Sequence, residues 1–293
     1  MKHASRQWIS MGWVLFLFLY GCGGKIEKST MSTPVLTKLW ETDSVFESPE
    51  SVIYDSFRDV LYVSNVGSWP GHIDDDGFIS KLSTNGEVLE YEWVTGLSSA
   101  LGMGIVDSFL YVTNVKEVAK IDIPSEEIIE RFTVDSVGFL NDITTSPDGI
   151  VYITDSRDNR IYQIMNDEMS LFYDNPDFGS SNGILYTNGK LVVAGFKSGN
   201  LTQLDLANMS TTILADSLFE GDGINTYGDD FFVSRWSGMI EYVKPNDTHE
   251  IILDLRDSKN KTADTWYEPS LNTLYIATFL GNSVVAYQVS TAD

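Results

Sequence analysis

The feature that most constrains this chain is a repeat about forty residues long. Aligning successive runs rich in aromatic and β-branched residues gives six units. They open with Glu50-Ser51-Val52, Met103-Gly104-Ile105, Asn141-Asp142-Ile143, Asn182-Gly183-Ile184, Asp222-Gly223-Ile224 and Asp264-Thr265-Trp266, in steps of 53, 38, 41, 40 and 42 residues. Within the units, runs such as Leu61-Tyr62-Val63, Val151-Tyr152-Ile153 and Leu274-Tyr275-Ile276 read as strands, and no helical period is sustained. Asn85-Gly86, Asp148-Gly149 and Asn188-Gly189 sit between such runs, where hairpin turns need positive φ. A period near forty with about four strands per unit predicts β-propeller blades, because one blade buries both its faces only by packing on its neighbours. The expected fold is therefore all-β, a six-bladed β-propeller over residues 35–293. The last unit ends at Val289 with room for three strands, so the run from Val35 to Trp40 is expected to supply the fourth and close the ring. The long first step reflects a polar insertion between Gly67 and Gly77.

The N-terminal end carries a different pattern. Lys2, His3 and Arg6 precede an apolar run from Trp13 to Tyr20, followed by Gly21 and Cys22. Charge, apolar core and small residue in that order predict a secretory leader over residues 1–21, and the apolar run is too short to span a bilayer. Leu19-Tyr20-Gly21-Cys22 resembles the lipobox of bacterial lipoproteins, with Tyr20 departing from the small residue usual there; the competing reading is an ordinary leader with an incidental cysteine. The expectation is lipidation at Cys22, a flexible tether over 22–34, and an extracytoplasmic protein anchored to an inner or outer bacterial membrane. Cys22 is the only cysteine, so no internal disulfide forms. The net charge of −23 disfavours a nucleic-acid partner, whose phosphates require clustered Lys and Arg.

The opening residues of the six units, Glu50, Met103, Asn141, Asn182, Asp222 and Asp264, are expected to ring one mouth of the channel. Five carry side-chain oxygens, the donors a hard cation such as Ca²⁺ takes, and unpaired carboxylates so close together would repel unless a cation neutralised them. The competing reading is that Asn, Asp and Gly at strand starts are turn formers. The second strands return to the same mouth, which is expected to place Asn65, Asn114, Asp155 and Arg235 in an outer ring. Arg235 there would meet a carboxylate or phosphate of a ligand, or else pair within the protein. Asp74-Asp75-Asp76-Gly77 has His72 where a calcium loop would open, so it reads as a solvated turn. Beyond the leader the only histidines are His72 and His249, and no G-x-S-x-G elbow is present, which disfavours a serine hydrolase.

Pro49-Glu50-Ser51-Val52-Ile53-Tyr54-Asp55, Asn141-Asp142, Ser181-Asn182-Gly183-Ile184 and Gly221-Asp222-Gly223-Ile224 resemble successive signatures of the SMP-30/gluconolactonase/LRE family, over about residues 44–289. The resemblance implies a divalent metal, calcium first, held by Glu50, Asn182 and Asp222, with Asn141 contacting substrate. Glu47, in Glu47-Ser48-Pro49, is the alternative to Glu50. The implied activity is hydrolysis of a lactone or related ester on a small extracytoplasmic substrate; from the residues themselves Asp222 is the expected general base, with Asp142 and Asp155 as alternatives, and Asp142, Asp155 and Arg235 are expected to face the substrate beside Asn141. The alternative is a non-catalytic, metal-containing propeller that binds a protein, glycan or small ligand at the cell envelope.

Overall fold

The computed structural model describes Met1 and residues 32–291 apart from 69, 246, 247 and 259; the leader and Cys22 lie outside them. Backbone packing separates Met1–Met31 from Ser32–Asp293, and the fold described here is that of the second unit. Its strands form six four-stranded antiparallel sheets. Blade 1 covers residues 49–97, blade 2 100–132, blade 3 140–174, blade 4 181–215, blade 5 221–254 and blade 6 262–291. The fourth strand of blade 6 is Pro34–Glu41, which pairs antiparallel with Ser283–Thr291 and sets Leu36 opposite Val289. The expected six-bladed propeller, closed by the N-terminal strand, is the observed fold. The innermost strands touch one another in a closed cycle through all six blades.

The core lies between the blades rather than within them. Tyr62 and Trp93 of blade 1 pack with Met103, Val112 and Ile121 of blade 2, and the two rings stack at 4.6 Å between centroids. Five further clusters fill the other joints, such as Phe178 with Tyr152 between blades 3 and 4, and Phe232 with Tyr287 between blades 5 and 6. Full burial of each such side chain contributes about 1.5–3 kcal/mol, so every joint draws on both blades. The outermost strands bury little, which is why each exposes an isolated Leu or Ile, including Leu89, Ile129, Leu171, Ile213 and Ile251. Of the predicted turns, Asn188 and Gly189 both take positive φ (48° and 74°), the pair that a two-residue hairpin requires.

Every innermost strand carries the same defect. Its pairing with the second strand slips by one residue between Pro49 and Val52, Ala100 and Met103, Leu140 and Ile143, Ser181 and Ile184, Gly221 and Ile224, and Thr262 and Thr265. Each slip is a β-bulge that leaves two residues outside the ladder and re-aims their side chains. The bulges correct the expected alignment. The residues equivalent to Glu50, Asn141, Asn182 and Asp222 are Leu101 and Ala263, not Met103 and Asp264. Met103 pairs with Val112 as Val52 pairs with Val63, so it lies two positions deeper. Asp264 is the second bulge residue, equivalent to Asp142. The corrected spacing is 51, 40, 41, 40 and 41 residues, more even than the aligned sequence gave.

Candidate metal centre

The first bulge residues form one ring: Glu50, Leu101, Asn141, Asn182, Asp222 and Ala263. Four carry oxygen, on blades 1, 3, 4 and 5. The bulge pulls them out of the ladder, and hydroxyls on the second strands fix where they stand. Thr154 Oγ accepts from Asp142 N (3.0 Å) and donates to Asn182 O (2.7 Å) across the blade joint. Thr113 Oγ donates to Asn141 O (2.5 Å), and Ser234 Oγ accepts from Gly223 N (2.8 Å) and donates to Ala263 O (2.8 Å). Each hydroxyl thus ties its own bulge to the next blade's ring residue.

The ring oxygens themselves have little protein to hold. Among the described residues, buried oxygens of Glu50 (Oε2), Asn141 (Oδ1) and Asn182 (Oδ1) have no hydrogen-bond partner. Asn141 commits its amide nitrogen to Ser156 Oγ (3.0 Å), leaving its oxygen as the free end. Among the described residues, neither Glu50 nor Asp222 accepts a hydrogen bond on its carboxyl. An orphaned buried oxygen costs roughly 1–3 kcal/mol, so three in one ring form an electron-rich site suited to a ligand that supplies positive charge. The donor set, two carboxylates and two carboxamides without His or Cys, suits a hard divalent cation and Ca²⁺ above others. Among the described residues no three His, Cys, Asp or Glu side chains cluster tightly enough to hold a metal alone, so the carboxamides are necessary to any such site.

The second bulge residues form an inner ring: Ser51, Gly102, Asp142, Gly183, Gly223 and Asp264. Here the two carboxylates are saturated. Asp142 accepts from Ile143 N (2.7 Å) and from Ile184 N of the next blade (2.8 Å). Asp264 accepts from Thr265 N (2.7 Å) and from Ser51 Oγ (2.8 Å), joining blade 6 to blade 1. The glycines make room for them: a Cβ on Gly102 would fall 2.6 Å from Asp142 Oδ1, and one on Gly223 2.2 Å from Asp264 Oδ1. Asp142, expected to face substrate, instead lines a cavity of about 60 Å³ among the inner strands with Met103 and Asp264.

Four buried carboxyls therefore share one channel. Burial raises the pKa of Glu50 well above the usual carboxylate range, and the charges of Asp222, Asp264 and Asp142 raise it further. Asp222 is raised by burial and then by Asp264. Asp142 is raised by burial and Asp264 against the pull of its two backbone donors. Burial likewise pushes Asp264 up to about 6, with the Ser51 and Thr265 donors opposing. Glu47 is exposed beside the Tyr91 hydroxyl (3.3 Å), whereas Glu50 is buried at the bulge, which separates the two candidates.

The outer ring expected from the second strands turns inward. Asp155 is fully buried and accepts from the backbone N–H of Gly138 (2.7 Å), Phe139 (2.9 Å), Arg157 and Asp158, fixing the loop that leads into Asn141. Asn65 and Asn114 hold the corresponding loops through Glu47 N and through Ser98 N and Ser99 N. Arg235 donates to Phe219 O (2.7 Å) and to Glu241 (2.6 Å), a carboxylate buried on the third strand of blade 5 and shared with His249. Asp155 and Arg235 are thus engaged within the protein rather than presented to a ligand. Asp76 of the acidic turn accepts from Ser68 N (2.9 Å), closing its own loop.

Six-bladed propellers of this form are known. Over 89% of this chain and 94% of the other, it superposes on a protein inferred to be a gluconolactonase, with a TM-score of 0.65 and 13% identity. A virginiamycin B lyase from Staphylococcus aureus matches 87% of this chain over 99% of its own, with a TM-score of 0.64 and 12% identity. A streptogramin B lyase matches 89% of this chain over 98% of its own, at 0.61 and 12%. At such identities the likeness is one of fold, the gluconolactonase-like propeller included. No family model matches the sequence, and no curated protein matches it.

Proposed function

We propose that this propeller is a divalent-metal-dependent hydrolase, calcium first, that opens a lactone or related ester at the bulged mouth of its channel. The observation that carries the reading is the ring Glu50, Asn141, Asn182 and Asp222: equivalent positions on four blades, three of them with buried oxygens that no described residue satisfies. When bound there, a divalent cation would polarise the ester carbonyl and stabilise the charge that develops on its oxygen. Glu50, Asn182 and Asp222 are its ligands in this reading. Asn141, its amide nitrogen tied to Ser156, offers a fixed oxygen to substrate or metal.

Asp222 is the candidate general base. Among the described residues nothing donates to its carboxyl, so an oxygen the metal does not take stays available to a water, and burial, with the charge of Asp264, raises its proton affinity. Asp142 and Asp264 are poor alternatives because each spends both oxygens on donors. The lyase neighbours favour one competing chemistry, ring opening by elimination, and a non-catalytic propeller is the other outcome. With the catalytic reading goes the proposal that a lipid on Cys22 holds the mature protein outside the cytoplasm at a bacterial membrane.

The test uses residues 33–293, a panel of γ- and δ-lactones, chelator and added Ca²⁺, with reactions run in ¹⁸O-water. Metal-dependent opening with one ¹⁸O in the product supports hydrolysis; opening without ¹⁸O makes the protein a lyase. Metal binding without turnover leaves a binding propeller, and absence of metal binding would overturn the site.

A further inference from the structure

Above the oxygen ring the mouth changes character. Where the ring lacks oxygen it carries Leu101 and Ala263, and these belong to one apolar cluster with Val66 and Phe279, packed against Phe139 and Trp236. Those six residues come from blades 2, 6, 1, 6, 3 and 5, so the cluster runs through five consecutive blades. Its placement follows from the repeat. Val66, Trp236 and Phe279 each immediately follow a second strand, and their backbone N–H groups donate to Ser48 O, Glu220 O and Lys261 O, each two residues before a ring position. Phe196 occupies the same place on blade 4, donating to Ser180 O, and is only partly buried. Trp236 meets Phe279 edge-on at 4.8 Å.

The insertion of blade 1 reaches the same wall. Gly71 N donates to Ser99 Oγ (3.1 Å) on the approach to blade 2, and a Cβ on Gly71 would lie 3.3 Å from the Phe139 ring. Phe139 and Trp236 keep part of their surface open while the rest of the cluster is covered. After the second strands this rim carries Val66, Val115, Phe196, Trp236 and Phe279, and its polar member on blade 3, Ser156, has its hydroxyl engaged by Asn141 and Ser181 O.

We infer that the substrate is a lactone or ester carrying an apolar acyl, alkyl or aryl group rather than a polyhydroxylated sugar lactone, with the open faces of Phe139 and Trp236, backed by the buried Leu101 and Phe279, as its specificity wall. This inference rests on the proposed hydrolase reading, since the wall borders the oxygen ring that would act on the ester. A group lying against the wall exchanges water contact for apolar contact, so discrimination grows with its length.

The experiment measures kcat/KM for unsubstituted γ-butyrolactone, its alkyl homologues up to six added carbons, and an aldonolactone, with Ca²⁺ present. Calorimetric binding of the matching alkyl lactams, which resist hydrolysis, is measured in parallel. The expected result is a rise of about fourfold per methylene over the first three or four carbons, with the aldonolactone below the alkyl series. Trp236→Gln and Phe139→Gln should each flatten that rise toward unity. Turnover that is flat with chain length, or fastest on the aldonolactone, overturns the inference and leaves the hydrolase reading intact. Lactam binding that tightens with chain length while no lactone turns over keeps the apolar wall and removes the hydrolase reading. Lactam affinity independent of chain length in the wild-type protein overturns the wall directly.

Discussion

Replacing Thr154 by Val should separate the blade-joining hydrogen bonds from shape. The substitution keeps volume and branching, so no cavity opens, and it removes only the hydroxyl. Two buried backbone groups lose their partner: Asp142 N, 3.0 Å away, and Asn182 O, at 2.7 Å. Neither has the ladder as a substitute, because the slip between Leu140 and Ile143 and that between Ser181 and Ile184 take both residues out of their pairings. An unsatisfied buried group costs roughly 1–3 kcal/mol, so the two together should cost about 2–6 kcal/mol. For a domain of this size that lowers Tm by on the order of 10 °C. Urea unfolding followed by tryptophan fluorescence measures the first figure and calorimetry the second. The loss should extend to metal affinity, because Thr154 holds the backbone of the ring residue Asn182. A cost below about 0.5 kcal/mol would refute the reasoning and would mean that the bulge groups find water instead. Blades 4 and 6 carry Ala194 and Ala277 at this position and lack the hydroxyl; Thr154→Ser, which keeps the hydroxyl and removes only a methyl group, is the control.

Further outcomes follow from the same geometry. Glu50→Gln and Asp222→Asn should each weaken Ca²⁺ binding at least tenfold by calorimetry, and Asp222→Asn should also abolish turnover, each variant removing one negative charge while keeping shape. Gly183→Ala should fail to yield soluble protein or lose more than about 3 kcal/mol, since its Cβ would stand 1.8 Å from Asp222 O. Without metal the fold should lose stability as pH rises from about 4 to 6: Asp264 holds its proton up to about 6 when folded but releases it near 3.8 when unfolded, so in that window the native state binds more protons. Thermal unfolding in chelator across that range checks the sign, and saturating Ca²⁺ at pH 7 should restore about 2–3 kcal/mol at a hundredfold excess over Kd.

The architecture was legible because a blade must repeat its strand pattern to pack on its neighbours, and that period survives changes of individual residues. The N-terminal closing strand followed from counting strands in the last unit. The site was legible only where bulge and repeat agree. Asn141, Asn182 and Asp222 were placed correctly because their blades present an Asn or Asp at the first bulge position. Blades 2 and 6 present Leu101 and Ala263 there, and alignment on the next polar or flexible residue slid to Met103 and Asp264. A one-residue bulge is invisible to a pattern that assumes an unbroken two-residue period. The evenness of the spacing was the signal available, since placing the ring at Leu101 and Ala263 gives 51, 40, 41, 40 and 41. Asp155 and Arg235 misled for another reason. Their strands do return to the mouth, but the polar ends of a second strand also serve to hold the loop that follows, and the four backbone donors on Asp155 show which use prevailed.

The bulge also explains why one short stretch of strand carries two kinds of carboxylate. Its first residue leaves the ladder toward the mouth, where Glu50 and Asp222 meet no donor among the described residues. Its second turns into the channel, where Asp142 and Asp264 are capped by the backbone of their own blade and by the blade that follows. Burial raises the proton affinity of Glu50 and Asp222, and the charge of the saturated residues raises it further, Asp264 acting on both and Asp142 on Glu50. Removing that influence should therefore show in the outer ring: Asp264→Asn can accept from Thr265 N on its amide oxygen and donate from its amide nitrogen to Ser51 Oγ, the hydroxyl reversing its role, yet takes away the charge that acts on Asp222. Its pH–rate profile should keep its shape while the acidic limb moves to lower pH, with stability nearly retained. An acidic limb that stays in place would show that burial alone sets the basicity of Asp222, and that Asp264 serves only to join blade 6 to blade 1.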